Sequence, residues 1–96
     1  MTPEILALVE IYEYEPGSTT NKTSVNNLIF KYCGEKFPTP KDIAEYLERT
    51  GQEAARQKGI KAKVSVEMPN TSPAMNQLRK KGIIIDRVFI VNLFVE

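Results

Sequence analysis

The stretch that decides the fold is residues 60–68, which read IKAKVSVEM. Apolar and polar side chains alternate through it without a break, so an extended strand here would bury one face and present the other to water. Pro69 and Asn70 follow and predict a turn. We therefore expect a β-strand over 60–68.

The clearest helix precedes this strand. Thr39 is a suitable N-cap, Pro40 suits the first helical position, and Asp42 completes a pattern like a capping box. Apolar residues then follow helical spacing until Gly59, which is a good C-terminal stop. Gly51 weakens the middle of the helix by about 1 kcal/mol relative to alanine, so a helix broken near Thr50 and Gly51 is an alternative to a continuous one.

The C-terminal third predicts two more elements. Residues 83–95 are rich in β-branched and aromatic side chains and apolar on both faces, which predicts a strand in the centre of the sheet. Between the two strands, Ser72 and Pro73 can start a short helix that continues through Lys81 and stops at Gly82.

The first third of the chain fits two interpretations. Residues 5–15 have strand-like alternation of tyrosines followed by a Pro16-Gly17 turn, but their apolar spacing also fits a helix. Residues 25–33 carry the same ambiguity. We prefer strands for both segments because the turn between them suits a hairpin.

Together these elements give the order strand, strand, helix, strand, short helix, strand. The chain has 96 residues, which predicts a single α+β domain over 1–96. The simplest packing is a small sheet covered by helices on one face.

An alternative fold comes from two local patterns. Residues 37–47, FPTPKDIAEYL, resemble the second helix of a winged helix-turn-helix domain, and residues 75–84, MNQLRKKGII, resemble the end of its recognition helix and the following strand. The resemblance covers 21 of 96 residues, and the strand predicted at 60–68 interrupts it. It implies that the basic residues near Arg79 would lie at DNA.

Catalytic equipment is missing from the sequence. The chain contains no histidine and a single cysteine, Cys33, which removes the usual general base and any multi-thiolate metal site. Cys33 lies in an apolar stretch, where a thiol behaves as a small hydrophobe. The isolated glycines form no phosphate-binding loop. We therefore expect a protein that is not an enzyme and that uses no cofactor and no metal.

Three acidic residues near the N-terminus could in principle hold a metal. Glu10, Glu13 and Glu15 alternate with Tyr12 and Tyr14. On a strand, Glu13 and Glu15 share one face and Glu10 points to the other. A solvated strand face explains them better than a metal site.

Charge is unevenly distributed along the chain. Residues 1–50 carry a net charge of −3 and residues 51–96 carry +4. The basic half predicts a small binding protein that contacts DNA or RNA. The predicted contact residues are Lys61, Lys63, Arg79, Lys80 and Lys81.

The alternative function is a protein–protein interaction module. An apolar strand over 83–95 in so short a chain predicts a homo-oligomer that self-associates through its sheet, by an exposed strand edge or by this strand. The unpaired thiol, with no visible signal peptide and no apolar stretch near the ~20 residues that span a bilayer, predicts a cytoplasmic protein without membrane contact.

Overall fold

A computed structural model describes residues 5–32, 35–37 and 39–96 of the chain. Cys33 lies outside the described residues. Six elements follow one another: β1 (Ile5–Tyr14), β2 (Lys22–Tyr32), α1 (Pro40–Gln57), β3 (Ala62–Glu67), α2 (Pro73–Lys80) and β4 (Arg87–Val95). The predicted α+β class and element order are confirmed, and both ambiguous N-terminal segments are strands.

The four strands form one mixed sheet in the order β2-β1-β4-β3. β1 and β4 are parallel neighbours in the centre, and each pairs with an antiparallel outer strand. β1 and β2 form the predicted hairpin, in which Gly17 has φ 76°, the left-handed region that favours glycine. β4 lies centrally, as its apolar composition predicts.

The helices lie on opposite faces of the sheet, so the prediction that they share one face is wrong. On β1, Ala7 and Val9 belong to the core under α1, whereas Leu8 belongs to the core with Met75 of α2. Consecutive strand residues point to opposite faces. Because both central strands are apolar on both faces, each face needs its own cover. We name the two faces the α1 face and the α2 face.

The winged helix-turn-helix alternative is also wrong. The two segments on which the resemblance depends contribute to α1 and α2, which are separated by the sheet rather than packed as neighbouring helices. Capping and helix-stop signals made these segments look similar, and such signals are common to many helices.

Helix α1 is continuous, so no break occurs at Gly51. The Thr39 side chain accepts a hydrogen bond from the Asp42 backbone, and Asp42 Oδ2 accepts one from the Thr39 backbone, which confirms the capping box. A Cβ atom on Gly51 would lie 3.2 Å from Val64 Cγ1. Glycine therefore permits close approach of α1 to β3.

Helix α2 begins at the predicted cap, since the Ser72 side chain accepts from the Met75 backbone. The strand after it begins later than predicted, at Arg87 instead of residue 83. Residues 83–86 instead form a connection that buries Ile85 completely. Arg79 Nη2 donates to the Ile85 carbonyl at 2.9 Å, and the Asp86 backbone donates to the Leu6 carbonyl. The Asp86 bond continues the contact with β1 one residue before the strand, and the Arg79 bond occupies the Ile85 carbonyl.

Candidate interaction surfaces

The most exposed regular element is β2, an outer strand of eleven residues. Every residue from position 22 to 29 is exposed. The exposed set includes three large apolar side chains: Val25 is 53% exposed, and Leu28 and Ile29 are each 44% exposed. An outer strand has one row of backbone donors and acceptors without a strand partner, so a long apolar one is a template for another chain.

The pairing of β1 with β2 is irregular at one point. Ile11 lies opposite Asn26 but Tyr12 lies opposite Ser24, which leaves Val25 as the additional residue of a bulge. Residues 26–32 form a regular segment on one side of the bulge. Leu28 lies opposite Val9, a residue of the α1 face, and Ile29 lies opposite Leu8, a residue of the α2 face.

An apolar groove of about 360 Å³ runs beside β2 on the α1 face. Helix α1 packs against β3 and β4, and it reaches β2 near its first turns, where the Tyr46 ring stacks on Phe30 at 5.9 Å. The later turns of α1 therefore leave a gap toward β2. The groove in this gap is lined mainly by apolar side chains, among them Val9, Ile11, Val25, Leu28, Leu47 and Ala54.

The opposite outer strand, β3, has a different character. It is six residues long, and α1 packs against it. Gln52 Nε2 of α1 donates to the Ala62 carbonyl at 2.9 Å. The side chains that alternate with its apolar ones, Lys63, Ser65 and Glu67, are exposed. Short length, charge and a covering helix are ways in which proteins protect a sheet edge.

The α2 face is covered only in part. Helix α2 packs with Leu8 and Val88, and the far end of this face carries one row of four residues from the four strands. In order across the sheet they are Lys22, Tyr14, Phe94 and Lys63, and we name them the lysine–aromatic row. The rings of Tyr14 and Phe94 stack at 4.4 Å. Two lysines thus flank an aromatic pair.

A polar cluster lies between this row and α2. Glu10 is 5% exposed and Asn92 is 3% exposed. Tyr12 donates its hydroxyl to Glu10 Oε1 at 2.7 Å, and Asn92 Nδ2 donates to Glu67 Oε2 at 3.1 Å. The hydrogen bond to Glu10, with a smaller effect of burial, raises the pKa of Tyr12 above its ordinary value of 10.0. Within the part of the chain that the structure describes, Glu10 Oε2 and Asn92 Oδ1 are buried without a hydrogen-bond partner.

The basic residues predicted from the sequence fall into two groups. Lys63 lies opposite Phe94, and Lys61 precedes β3 and accepts a backbone hydrogen bond from Glu96. Arg79, Lys80 and Lys81 end α2 near Leu6, at the other end of β1 from Tyr14. Leu6 and Tyr14 are eight positions apart on β1, or about 26 Å at ~3.3 Å per residue. The structure does not bring the two groups together.

The sequence did not predict which residues lie beside Lys63 in the lysine–aromatic row. Lys22 and Phe94 come from distant parts of the chain, so only the strand register brings them together. The alternation of Tyr12 and Tyr14 was the visible signal. It shows which face the tyrosines share but not which strands lie beside them.

Within residues 5–32, 35–37 and 39–96, no helix is long and apolar enough to cross a membrane. No group of three or more Asp, Glu, Cys or His side chains in these ranges is arranged to hold a metal ion. Comparison of the chain with protein-family models, with curated proteins and with solved structures found no match.

Proposed function

We propose that this protein is a non-enzymatic binding protein whose partner is a second copy of itself, paired through β2. The observation that carries the proposal is the contrast between the eleven-residue strand β2, exposed throughout positions 22–29, and the short, covered edge at β3. The apolar strand β4 is central and pairs with a strand on each side, so β2 is the longer of the two strand edges open to self-association.

Pairing of β2 with β2 of a second copy satisfies two requirements at once. It gives the outer backbone groups hydrogen-bond partners, and it buries Leu28 and Ile29 at opposite faces of the sheet. An antiparallel arrangement about a two-fold axis is the form in which two identical strands present the same surface to each other. The product is a continuous sheet of eight strands.

The charges at the ends of β2 favour one register. With the axis midway between Asn26 and Asn27, Lys22 would lie opposite Lys31 of the partner copy, and like charges in that position are destabilising. With the axis at Leu28, the two leucines face each other and Lys31 lies opposite Val25 of the partner copy. We therefore place the axis at Leu28.

This register also closes the groove. It places Asn26, which lines the groove, opposite Phe30 of the partner copy, and the ring of Tyr46 lies on Phe30 within each copy. Tyr46 of the partner copy would then cover the open side of the groove. Its 36% exposure in the single chain is consistent with this role.

The test is the molar mass of the protein measured by sedimentation over a wide range of concentration. We expect a monomer–dimer equilibrium. A single monomeric mass at every concentration would overturn the proposal.

Cross-linking tests the register. In a Cys33→Ser background, Leu28→Cys should form a disulfide-linked dimer under mild oxidation, since facing residues near the axis have Cβ atoms ~5 Å apart. Lys63→Cys on β3 is the matched control and should remain unlinked. If both variants cross-link equally, the dimer does not use β2 in the proposed way.

A second candidate function is contact with single-stranded nucleic acid, and the lysine–aromatic row supports it. The two ammonium groups would bind phosphates, and the half-buried ring of Phe94 would stack on a base. Tyr14 is only 8% exposed, so its part is to stack on Phe94 within the protein. Lys63 belongs to the row, and Lys61 lies two residues before it. Arg79, Lys80 and Lys81 would form a separate contact, because they lie near the other end of β1.

Anisotropy titration of labelled single-stranded DNA and RNA at low salt tests this second function. We expect binding that weakens as salt is added, and a several-fold loss of affinity for Lys63→Glu. Lys41→Glu on α1 is the control, because Lys41 lies on the helix of the opposite face. A Lys80→Glu/Lys81→Glu variant shows whether the second basic group contributes. Binding that is absent or insensitive to salt would contradict the hypothesis.

A further inference from the structure

The polar cluster on the α2 face contains two buried oxygens, Glu10 Oε2 and Asn92 Oδ1, that have no hydrogen-bond partner among residues 5–32, 35–37 and 39–96. Nearly every buried polar atom in a folded protein has a hydrogen-bond partner, an ordered water or a bound ion. We infer that Glu10 and Asn92 form a site for a hard divalent cation of the Ca²⁺, Mg²⁺ or Mn²⁺ class.

Glu10 and Asn92 lie on the same face of two neighbouring strands, β1 and β4. Asn92 is directly opposite Tyr12, and Glu10 is two positions before Tyr12 on β1. The Asn92 amide nitrogen bonds Glu67 Oε2 on β3, and its amide oxygen has no hydrogen-bond partner among the described residues.

Two donors close to Glu10 leave its Oε2 without a bond. The Tyr12 hydroxyl bonds Glu10 Oε1, and the Lys22 ammonium lies over the Tyr12 ring, 4.4 Å from its centroid. Among the described residues, no salt bridge reaches Glu10. An anionic ligand would meet repulsion here, whereas a cation would be attracted.

The chemistry of the two atoms selects the class of cation. A carboxylate oxygen and an amide oxygen are hard ligands, which Ca²⁺, Mg²⁺ and Mn²⁺ prefer over the nitrogen and sulfur sites of zinc. Two protein ligands leave the remaining coordination positions to water, as Mg²⁺ commonly has. One full negative charge predicts weak binding, on the order of the 10⁻⁴–10⁻³ M range of weak calcium sites.

Terbium luminescence provides a direct probe. Tb³⁺ replaces Ca²⁺ at oxygen sites and emits when an adjacent tyrosine absorbs light, and Tyr12 is bonded to the proposed ligand Glu10. We expect sensitised emission on addition of Tb³⁺ that Ca²⁺ reverses. Glu10→Gln should weaken Tb³⁺ affinity on the order of tenfold or more. Glu13→Gln is the matched control, since Glu13 lies on the same strand and points to the α1 face.

A second variant gives an independent test if Glu10→Gln fails to fold. Asn92→Asp adds a negative charge at the second ligand, so its affinity for Tb³⁺ and Ca²⁺ should exceed that of the unmodified protein severalfold. Thermal unfolding with and without Ca²⁺, Mg²⁺ or Mn²⁺ should show a larger gain in Tm for this variant. The inference is overturned if the unmodified protein shows neither sensitised emission nor a Tm shift, or if Glu10→Gln and Glu13→Gln bind Tb³⁺ equally. Either result would assign the two oxygens to an ordered water only.

Discussion

The two outer strands of the sheet, β2 and β3, each have one row of backbone hydrogen-bonding groups without a strand partner. They differ in how far the rest of the chain covers this edge. β3 has six residues and exposed charged side chains, and α1 packs against it and bonds one of its carbonyls. β2 has eleven residues and exposes Val25, Leu28 and Ile29. The chain therefore protects the β3 edge by its own structure and leaves the β2 edge exposed.

The difference has a physical origin in α1. This helix crosses the α1 face diagonally, from Phe30 on β2 to Val64 on β3. One helix of eighteen residues cannot cover both outer strands along their full length. The groove lies between the later turns of α1 and the sheet, and it is open beside β2.

The largest effect is expected from Leu28→Lys on β2. A lysine at the centre of an edge strand blocks pairing with another strand, because its charge would have to be buried. We expect the dimer dissociation constant to rise on the order of 100-fold, equivalent to ~2.7 kcal/mol. Sedimentation measures this change.

Ile84→Lys is the matched control, because Ile84 is 82% exposed and lies outside both outer strands. An equal loss of dimer in the two variants would mean that general surface charge, rather than the edge, controls assembly.

A pair of identical substitutions compares the two edges inside the monomer. Val64 on β3 is 8% exposed and Val25 on β2 is 53% exposed. Val64→Ala should lower the free energy of unfolding by about 2 kcal/mol, through lost burial and a cavity under α1. Val25→Ala should change it by less than ~0.5 kcal/mol. Urea unfolding at concentrations that keep the protein monomeric measures both, and similar costs would contradict the contrast between the edges.

Helix α1 covers the β3 edge, so the protection of this edge depends on the stability of α1. Thr39→Ala removes the N-cap hydrogen bond to the Asp42 backbone and should cost about 1 kcal/mol of stability. Thr20→Ala, in the exposed connection between β1 and β2, is the control and should be nearly neutral. Thermal unfolding detects the difference, and equal Tm values would mean that the cap contributes nothing.

The smallest effect concerns alkaline pH and involves one tyrosine of the central strand β1 and one of the outer strand β2. Bonding to Glu10 raises the pKa of Tyr12, and burial, with the nearby Asp86 charge, raises the pKa of Tyr32. A folded-state pKa above the unfolded value means that the native state holds its protons more tightly. Both tyrosines should therefore stabilise the fold below pH ~10 and lose this contribution as pH rises further.

Glu10→Gln should bring the pKa of Tyr12 down toward 10.0, because it removes the neighbouring carboxylate. Ultraviolet titration of tyrosine ionisation measures this change, and Glu13→Gln is the control. An unchanged titration curve in Glu10→Gln would show that the Tyr12–Glu10 bond is absent in solution.

Local patterns were sufficient for much of the fold. The alternation around Val64 predicted β3, and the caps at Thr39 and Ser72 predicted where both helices begin, because these signals act within a few residues. The side of the sheet on which α2 lies was not predictable in this way. Helix α2 packs on the sheet face that carries Leu8 and Val88, which α1 leaves uncovered. That choice depends on the packing of the whole sheet and not on a local pattern.

The candidate surfaces were less accessible from sequence. The exposure of Leu28 depends on β2 being an outer strand, which follows from the sheet order. Lys22 and Lys63 are placed in one row by three strand registers. The charge asymmetry of the chain identified Lys63 but grouped it with Arg79, since proximity in sequence does not report distance across a sheet.

Hydrogen exchange of the backbone amides of β2 and β3, measured as a function of protein concentration, tests the central claim most directly. If a second copy pairs with β2, amides in residues 26–32 should exchange more slowly as the concentration passes through the dimer dissociation constant. Amides of β3 should exchange at the same rate throughout. Exchange in β2 that is independent of concentration, or slowing in β3 instead, would contradict the account.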